Sequence, residues 1–535
     1  MNKNAASFFG QFSFILFLFI IHFGGREASA DYELVEKSDI ARVWAGHPVD
    51  FAITEAGDFL YVSFYDTTRQ MVVARRKKDS ANWTFKSLPT TTGWDSHNYI
   101  DMAVDDSGYI HISGNMHNVP LIYYRSSRPF EIGDFTSPGM IGILERSVTY
   151  PVFIKRSDGK LFFQYRDGGS GSGTTIWNSY DVITKKWSRI TSSGLFNGEG
   201  QVNAYQTSPV AGPDGFFHVI WMWRNTPVAN TNHHLSHIKS RDLINWETMS
   251  GVKLQIPITQ STQGVVADPI GPGRGLINMD FGIGWDSKDR PILTYHRYDN
   301  ASVSQIFNTR WENGSWKIYT TSNWTGFKWN LDLTGSLTHD IAAQPVTVED
   351  GKLIQDYMYR DNVKRRWVLD ENTLKPLEDK IYEHPEAMKE MYVVESTFPG
   401  MQANIKRLGD YYIKWETLPI NQDMPRSSYP SSSVLRMYHF SHSTPVVSSV
   451  MARQRTISLE MYPGMIRLSA VTPGNYNEKR QLRIFNPMGK EVLEKSIYAN
   501  QVQTIPTSGW AKGIYIARIA ETRDKKSDVI RFVLQ

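Results

Sequence analysis

The segment Asp106-Ser107-Gly108-Tyr109-Ile110-His111-Ile112 joins a short polar turn to an apolar-rich strand. The same pattern returns at residues 57–62, 158–163, 214–219, 289–294 and 350–354, and the copy at 289–294 lacks the glycine. The first three glycines of the series recur at an interval of about 50 residues, which is the repeat length of a four-stranded propeller blade. This series of turns and strands predicts an all-β repeat fold.

The number of repeats sets the size of the predicted propeller. A tryptophan follows most copies of the turn on a later strand, as at Trp83, Trp187, Trp246 and Trp316. The N-terminal strand and the segment around 405–440 supply the strands of one more blade. Long amphipathic helices with capping residues are missing from the pattern. We therefore predict a six- or seven-bladed β-propeller over residues 31–445, and seven is the preferred number.

Residues 1–30 have the features of a secretory signal peptide. Lys3 supplies a positive charge, Phe14 to Ile21 is an unbroken apolar run, and Ala28-Ser29-Ala30 fits the small-x-small cleavage rule. The apolar run is too short for a membrane-spanning helix, and no later stretch reaches that length. The sequence thus predicts a secreted or cell-surface protein without membrane insertion.

The composition narrows the classes of function. The chain contains 26 Tyr, 26 Phe and 16 Trp but no cysteine. Aromatic residues at this density suit strand packing and also sugar binding. The missing cysteines exclude thiol catalysis, thiolate metal sites and disulfides. The formal net charge of +4 is compatible with an anionic glycan and does not indicate a nucleic-acid partner.

The C-terminal segment differs in composition from the repeats. Residues 455–535 read as a compact set of strands, with 482–489, 513–519 and 532–534 as the clearest pieces. This segment resembles the C-terminal sorting domain of the type IX secretion system of Bacteroidota. The resemblance implies a small β-sandwich that addresses the chain to the type IX secretion machinery. The alternative is a small carbohydrate-binding sandwich.

Four polar patches lie beside the turns or at strand ends, at 93–99, 113–118, 148–151 and 163–171. In a propeller such ends gather around the central channel on one face, so residues that are distant in sequence converge. We therefore expect His97, His117, Tyr150 and Arg166, one from each patch, to share a site. The alternative for each residue is structural: a core histidine, a tyrosine packed at a strand edge, or an Arg166–Asp167 ion pair.

This set of side chains suits β-elimination beside a uronate. A guanidinium offsets the carboxylate charge, a base removes the C5 proton, and an acid protonates the leaving oxygen; His and Tyr serve either role. A hydrolase usually needs two facing carboxylates instead. Asp95, Asp101 and Asp167 lie in or beside the patches, so composition leaves hydrolysis open.

The stretch from Trp44 to about Trp329 resembles the propeller group that contains the ulvan lyases, polysaccharide lyase families 24 and 25. It is also similar to glycoside hydrolase family 145 and to rhamnose–glucuronate lyases. The shared motifs are 45–49, 93–99, 114–117, 148–151, 165–168, 203–205 and 232–236. The resemblance implies a lyase that cleaves a rhamnose-rich, uronate-containing polysaccharide of the ulvan type and leaves 4,5-unsaturated uronate ends.

By the same resemblance, Tyr150 and His97 serve as base and acid, with the assignment open between glucuronate and its C5 epimer iduronate. Arg166 neutralises the carboxylate and His117 helps to hold the substrate. We further expect a substrate-binding set of Asn98, Asn115, Tyr205, Arg224 and His47.

His47 also keeps two other functions open. In a family 145 rhamnosidase, a histidine in a Gly-His-Pro setting is thought to be catalytic on the opposite face, so an α-L-rhamnosidase acting on rhamnose linked to glucuronate is one alternative. A structural Gly-His-Pro corner is the simpler explanation. The second alternative is a non-catalytic glycan-binding propeller, in which exposed aromatics bind the sugar.

The sequence predicts no cofactor for the chemistry and no catalytic metal. His233, His234 and His237 are close in sequence, but their spacing is no zinc signature. Relatives with a structural zinc use cysteine ligands, which this chain lacks. A structural zinc or calcium ion stays open, and the exact polymer is not determined.

Overall fold

The computed structural model describes residues 31–443 and 456–534. Within these ranges it leaves out 157, 170–172, 192–193, 335–336, 338, 362, 422, 463–464, 472–478, 487, 489, 499–502, 508–509, 512 and 522–526. The predicted signal peptide, 1–30, lies outside the described residues. The chain forms two compact units, residues up to 445 and residues from 446 onward.

Seven antiparallel sheets make up the described part of the first unit. Apart from β1 (Asp31–Val43) and β8 (His117–Val119), the strands of the first three sheets follow the chain. Sheet 1 contains β2 (Ala52–Ala56), β3 (Phe59–Tyr65), β4 (Gln70–Lys77) and β5 (Thr84–Thr91). Sheet 2 contains β6 (Ile100–Val104), β7 (Ile110–Gly114), β9 (Tyr123–Ser126) and β10 (Phe135–Thr136). Sheet 3 contains β8 (His117–Val119), β11 (Val148–Lys155), β12 (Leu161–Asp167), β13 (Thr174–Asp181) and β14 (Lys186–Arg189).

Three more sheets continue the same order. Sheet 4 contains β15 (Asn203–Gln206), β16 (Val210–Ala211), β17 (Phe217–Arg224), β18 (Asn232–Ser240) and β19 (Val266–Asp268). Sheet 5 contains β20 (Gly282–Trp285), β21 (Pro291–Tyr298), β22 (Ser304–Glu312) and β23 (Ser315–Thr320). Sheet 6 contains β24 (Ile341–Ala343), β25 (Thr347–Glu349), β26 (Lys352–Tyr359), β27 (Lys364–Leu369) and β28 (Pro376–Ile381). The helical segments of the described residues are three 3-10 turns, Ser96–Asn98, Ala229–Thr231 and Glu386–Tyr392.

Sheet 7 joins the two ends of the first unit. It contains β29 (Gln402–Leu408), β30 (Tyr411–Thr417) and β31 (Ser433–Ser443), and β1 pairs with β31 at its edge. The N-terminal strand and the segment around 405–440 were predicted to form one repeat, and both lie in this sheet. A meander of four or five strands that recurs in chain order, with the N-terminal strand completing the last sheet, is consistent with a β-propeller.

Two copies of the recurring turn share one local geometry. In the loop before β7, the Asp105 carboxylate accepts hydrogen bonds from two backbone N–H groups of the turn, and Gly108 has a φ of 86°. Asp286 does the same before β21, where the glycine is missing and Asp289 takes the left-handed φ of 57°. Asp tolerates this backbone region better than most residues, so the turn forms without glycine.

The core lies between neighbouring sheets. Buried side chains of β6 and β9 pack with those of β12 and β13, and β17 and β18 pack in the same way with β21 and β22. The first strands of successive sheets also contact one another: β29 contacts β2, β2 contacts β6, and β6 contacts β11. The sheets therefore bring the ends of β6, β8 and β11 close together, and these ends carry the polar patches.

The second unit contains two sheets in its described residues. The first is formed by β32 (Thr456–Tyr462), β33 (Met465–Val471) and β36 (Gln503–Pro506). The second is formed by β34 (Lys479–Phe485), β35 (Glu491–Tyr498), β37 (Gly513–Glu521) and β38 (Ser527–Leu534).

Candidate active site

The two predicted histidines meet at one carboxylate. Asp95 caps the 3-10 turn Ser96–Asn98 by accepting the backbone N–H of His97. The same carboxylate lies 2.7 Å from His97 Nδ1 through Oδ1 and 2.6 Å from His117 Nδ1 through Oδ2. The two imidazole rings stack with their centroids 3.9 Å apart. Burial acts to raise the pKa of Asp95, but the hydrogen bonds from His117 and His97 outweigh it and hold that pKa well below its usual range.

Tyr150 reaches this pair through a bulge in β11. Thr149 pairs with Arg166 and Val152 with Gln164, so two residues of β11 stand opposite one residue of β12. Tyr150 has a φ of 60°, a backbone conformation that is unfavourable for a bulky side chain. Its ring centroid lies 5.5 Å from that of His97.

Each of two arginines packs against a tyrosine ring, and neither has a carboxylate partner among the described residues. The Arg166 guanidinium is 4.9 Å from the Tyr150 ring, and it donates to Gly168 O and Thr149 Oγ1. Arg224 lies 4.1 Å from the Tyr205 ring and donates to the side-chain oxygens of Asn232 and Asn278. Within the described part of the chain, neither guanidinium is within 4 Å of an acidic side chain. No acidic side chain of the described residues therefore neutralises either positive charge.

The pKa values of Tyr150 and Arg224 depend on burial and on the neighbouring charges. Burial raises the pKa of Tyr150, and the Arg166 charge offsets only part of that effect. Burial also lowers the pKa of Arg224, and the interactions with Tyr205 and Tyr150 raise it in part. Tyr150 thus interacts electrostatically with Arg166, Tyr205 and Arg224. The free protein accordingly holds Tyr150 as a neutral phenol over the neutral pH range.

An open recess of about 410 Å³ adjoins the histidine pair. Its lining residues are Asp95, Asn98, Asn115, His117, Val119 and Ile122. Asn98 is 8% exposed, and its carbonyl accepts the Tyr65 hydroxyl. The Asn115 amide donates to Thr90 Oγ1 and to the carbonyl of residue 91. Asn115 thus serves as a brace between sheets as well as a lining residue.

His47 does not reach the recess. It is 1% exposed and lies among Trp44, Trp94 and Asp423, with its Nε2 atom 3.4 Å from Asp423 Oδ1. The same Asp423 oxygen accepts the backbone N–H of Ser96. His47 therefore lies behind the loop that carries His97, where it supports that loop and does not face solvent.

Two of the carboxylates that left hydrolysis open, and the histidines that are close in sequence, bond to groups outside the recess. Asp101 accepts the backbone N–H of Phe153, and Asp167 accepts that of Ser147, so Arg166 and Asp167 form no ion pair. His237 is buried and hydrogen-bonds His218, whereas His233 bonds His234 and Asn225. These contacts place His233, His234 and His237 in the polar interior of sheet 4, and the three do not converge on one point.

One group of the described residues has the composition of a metal site. Ligand atoms of Asp95, His97 and His117 all lie within 4.8 Å of one another. Two imidazoles and a carboxylate suit zinc and other divalent metals. Such an ion would bind through these nitrogen and oxygen atoms. In the structure, both Nδ1 atoms and both Asp95 oxygens are already hydrogen-bonded to one another.

Asp95 and Asp423 are the members of the site whose roles the sequence analysis missed. Asp95 had a local signal, because an Asp two residues before His97 at the start of a short turn is a typical capping position. Asp423 had none, since it meets Ser96 across 327 residues of chain.

Two sequence families match parts of the chain. Residues 59–324 match a BNR repeat-containing family member, and residues 465–534 match the secretion system C-terminal sorting domain. The sorting domain directs the chain through type IX secretion to the cell surface or the extracellular space. A search of curated protein sequences finds no match. Among the described residues, no helix has the length and apolar character that crossing a membrane requires.

Three similar solved structures are polysaccharide lyases. One is an ulvan lyase of family PL25, with 15% identity and a TM-score of 0.51 over 75% of this chain and 95% of that chain. The chain shares the ulvan lyase fold. The same type of PL25 ulvan lyase bound to -[GlcA(1-4)Rha3S]- matches with 14% identity and a TM-score of 0.51 over 75% and 95% of the two chains. The polysaccharide lyase Uly1 matches with 13% identity and a TM-score of 0.50 over 76% and 98%. At these identities the ulvan lyase likeness concerns the fold alone.

Proposed function

We propose that this chain is a secreted polysaccharide lyase that cleaves a uronate-containing glycan by β-elimination. The observation that carries the proposal is the meeting of His97 and Tyr150 with Arg166, beside the Asp95 carboxylate that both histidines contact. In this proposal the seven sheets are the seven blades of one propeller over residues 31–445, and the two sheets of 455–535 form a small sandwich.

Arg166 binds the uronate carboxylate. A planar guanidinium pairs with a carboxylate through two parallel hydrogen bonds and remains charged at every relevant pH. Neutralising the carboxylate makes the C5 proton easier to remove, because negative charge develops beside it in the transition state. The guanidinium's existing partners are a carbonyl and a hydroxyl, so it still carries a full positive charge for this task.

His97 removes the C5 proton and Tyr150 protonates the leaving oxygen. The pKa of Tyr150 is raised by burial, so the phenol begins the reaction with its proton in place. Nε2 of His97 accepts the C5 proton as the C5–H electron pair forms the C4=C5 double bond. The C4–O bond breaks, and its oxygen takes the phenolic proton. The tyrosinate beside Arg166 then regains a proton from the imidazolium or from solvent.

The proposed substrate is ulvan or a related rhamnose-rich glycan. The support is the likeness in fold to an ulvan lyase that binds -[GlcA(1-4)Rha3S]-. A second guanidinium, that of Arg224, also lacks an acidic partner among the described residues. It suits another anionic or polar group on a neighbouring sugar, and Asn98, Asn115 and Tyr205 complete the proposed binding set.

Ultraviolet absorbance tests the reaction directly. The protein is incubated with ulvan and with other uronate glycans, and the absorbance of the 4,5-unsaturated uronate is followed. A rise in absorbance that tracks new chain ends supports the lyase. Release of free rhamnose without this chromophore identifies the rhamnosidase, although the burial of His47 argues against direct catalysis by that residue. Binding with no product of either kind identifies a glycan-binding protein.

A further inference from the structure

Asp95 is the centre of the histidine pair. Its two oxygens each meet the Nδ1 atom of a different imidazole, at 2.7 Å for His97 and 2.6 Å for His117. A carboxylate at this depressed pKa carries no proton and only accepts hydrogen bonds. Both imidazoles must therefore present an N–H at Nδ1, which leaves a lone pair on Nε2 of each ring.

We infer that Asp95 is a positioning residue that makes Nε2 the proton-accepting atom of His97 and His117 and holds the two rings in one orientation. This inference rests on the proposed function, because it concerns the base of that same reaction. Which ring nitrogen carries the proton decides whether a histidine acts as a base toward a given atom. A carboxylate behind an imidazole also stabilises the imidazolium that forms after proton transfer.

The backbone around Asp95 strengthens the assignment. The His97 N–H bonds the same Oδ1 that receives its ring, so the loop conformation and the ring orientation depend on one atom. Asp423 holds the next residue, Ser96, from the other side. The charged and titratable groups facing the pair are thus Asp95, Asp423 and Tyr150.

An amide at position 95 cannot replace the carboxylate. Asparagine offers one acceptor oxygen and one NH₂ donor, so it can accept Nδ1–H from only one of the two rings. The other ring faces a donor and must turn its Nδ1 lone pair toward it, which moves its proton to Nε2. The Asp95→Asn variant therefore has one imidazole in each tautomer, and the two rings no longer both present a lone pair at Nε2.

Nitrogen NMR of histidine-labelled full-length protein tests this. Spectra are recorded at a pH of about 8, where imidazoles are ordinarily neutral, and the two signals are assigned with His97→Gln and His117→Gln. In the wild type both residues are expected as the Nδ1–H tautomer. In Asp95→Asn one of them is expected as Nε2–H, and kcat is expected to fall about 100-fold with a smaller change in KM.

Asp214→Asn is the matched control. Asp214 is also hydrogen-bonded to a histidine, His218, but in sheet 4 and away from the recess. Its replacement should leave both signals and kcat unchanged. The Nε2–H tautomer at both residues in the wild type would overturn the inference, as would an Asp95→Asn enzyme of full activity. If the wild type eliminates no uronate glycan, the proposed function fails, while the wild-type tautomers still decide the role of Asp95.

Discussion

At the scale of single residues, the unusual backbone of Tyr150 is the feature most specific to this site. A φ of 60° at a tyrosine costs conformational energy on the order of 1–3 kcal/mol. Such a conformation persists only where the surrounding structure imposes it, and here it is imposed by the bulge between β11 and β12. The bulge turns the phenol toward His97 and Arg166, which a regular strand would not do.

Replacing Tyr150 with phenylalanine removes only the hydroxyl. We expect kcat on a uronate glycan to fall by about 100-fold or more, because general acid catalysis contributes on that order, while the midpoint of thermal unfolding changes little. Tyr180→Phe is the control, since its hydroxyl meets Arg125 on the outer strands. Full activity of the Tyr150→Phe enzyme would rule out this residue as the acid.

The pH profile distinguishes an acid from a base at Tyr150. Burial places the pKa of this phenol above its ordinary value of 10.0. An acid works in its protonated form, so its contribution is complete below that pKa and is lost only as the pH rises through it. We therefore expect kcat/KM to stay level from neutral pH to about 9. A tenfold rise per pH unit over this range would show that the tyrosinate is the active form.

At the scale of elements, the close approach of β7 to the segment that leads into β6 shapes the site. A Cβ on Gly114, at the end of β7, would lie 2.6 Å from the Tyr99 carbonyl oxygen and 2.9 Å from the Ile100 Cα. Both are backbone atoms of the segment that leads from His97 into β6. The absence of a side chain at Gly114 thus lets the His97 and His117 segments approach one another.

Gly114→Ala should therefore affect stability and activity together. We expect a loss of about 1–3 kcal/mol in the free energy of unfolding, as for other overpacked sites, measured by chemical denaturation. kcat should fall as well, because Asn115 and His117 follow directly in the chain. Gly133→Ala is the control, since its added Cβ would meet nothing within 4 Å. Equal behaviour of the two variants would contradict this account.

The edge strand β1 is tied to sheet 1 by an ion pair. Glu36 accepts two hydrogen bonds from the guanidinium of Arg76, a residue that is 2% exposed. The hydrogen bonds from Arg76 lower the pKa of Glu36 below its ordinary value of 4.5. A lowered pKa means that the stabilisation is complete above pH 4.5 and is lost as the pH falls through the folded-state pKa.

Glu36→Gln leaves the Arg76 charge without a counter-charge. We expect the free energy of unfolding at neutral pH to fall by about 2 kcal/mol. The difference from the wild type should shrink on acidification, because the wild-type carboxyl is then protonated too. Glu33→Gln on the same strand is the control, as Glu33 is exposed. A difference that persists undiminished at low pH would show that the charge is not the cause.

At the scale of the whole molecule, the chain divides into a unit that contains the proposed active site and a unit that contains the sorting domain. The division falls at residue 445, and the sorting-domain match lies wholly within the second unit.

The separation of the two units predicts that the sorting domain also directs the export of another protein. A periplasmic reporter followed by residues 446–535 should reach the cell surface or medium of a type IX host, as measured by fractionation. The same fusion without 527–534 should stay in the periplasm, because β37 then loses its pairing with β38, the edge strand of this sheet.

The amino-acid sequence was sufficient for everything that depends on local chemistry. In two copies of the polar turn an Asp accepts two neighbouring backbone N–H groups, Asp105 in one and Asp286 in the other. The repeat of turn and strand therefore predicted the all-β class, and it also assigned β1 and residues around 405–440 to one sheet. The residue types at the strand ends favoured a site for β-elimination, because His, Tyr and Arg can supply a base, an acid and a positive charge.

Only the tertiary structure decided how those residues meet. The bulge at Tyr150 depends on pairing with β12, the burial of His47 depends on Asp423 from a distant loop, and the sharing of Asp95 between two imidazoles needs β8 beside the 93–99 segment. Each of these contacts joins parts of the chain whose separation carries no local pattern. Turn geometry is a short-range property that a sequence displays directly, whereas the partner of a side chain is set by how whole sheets pack.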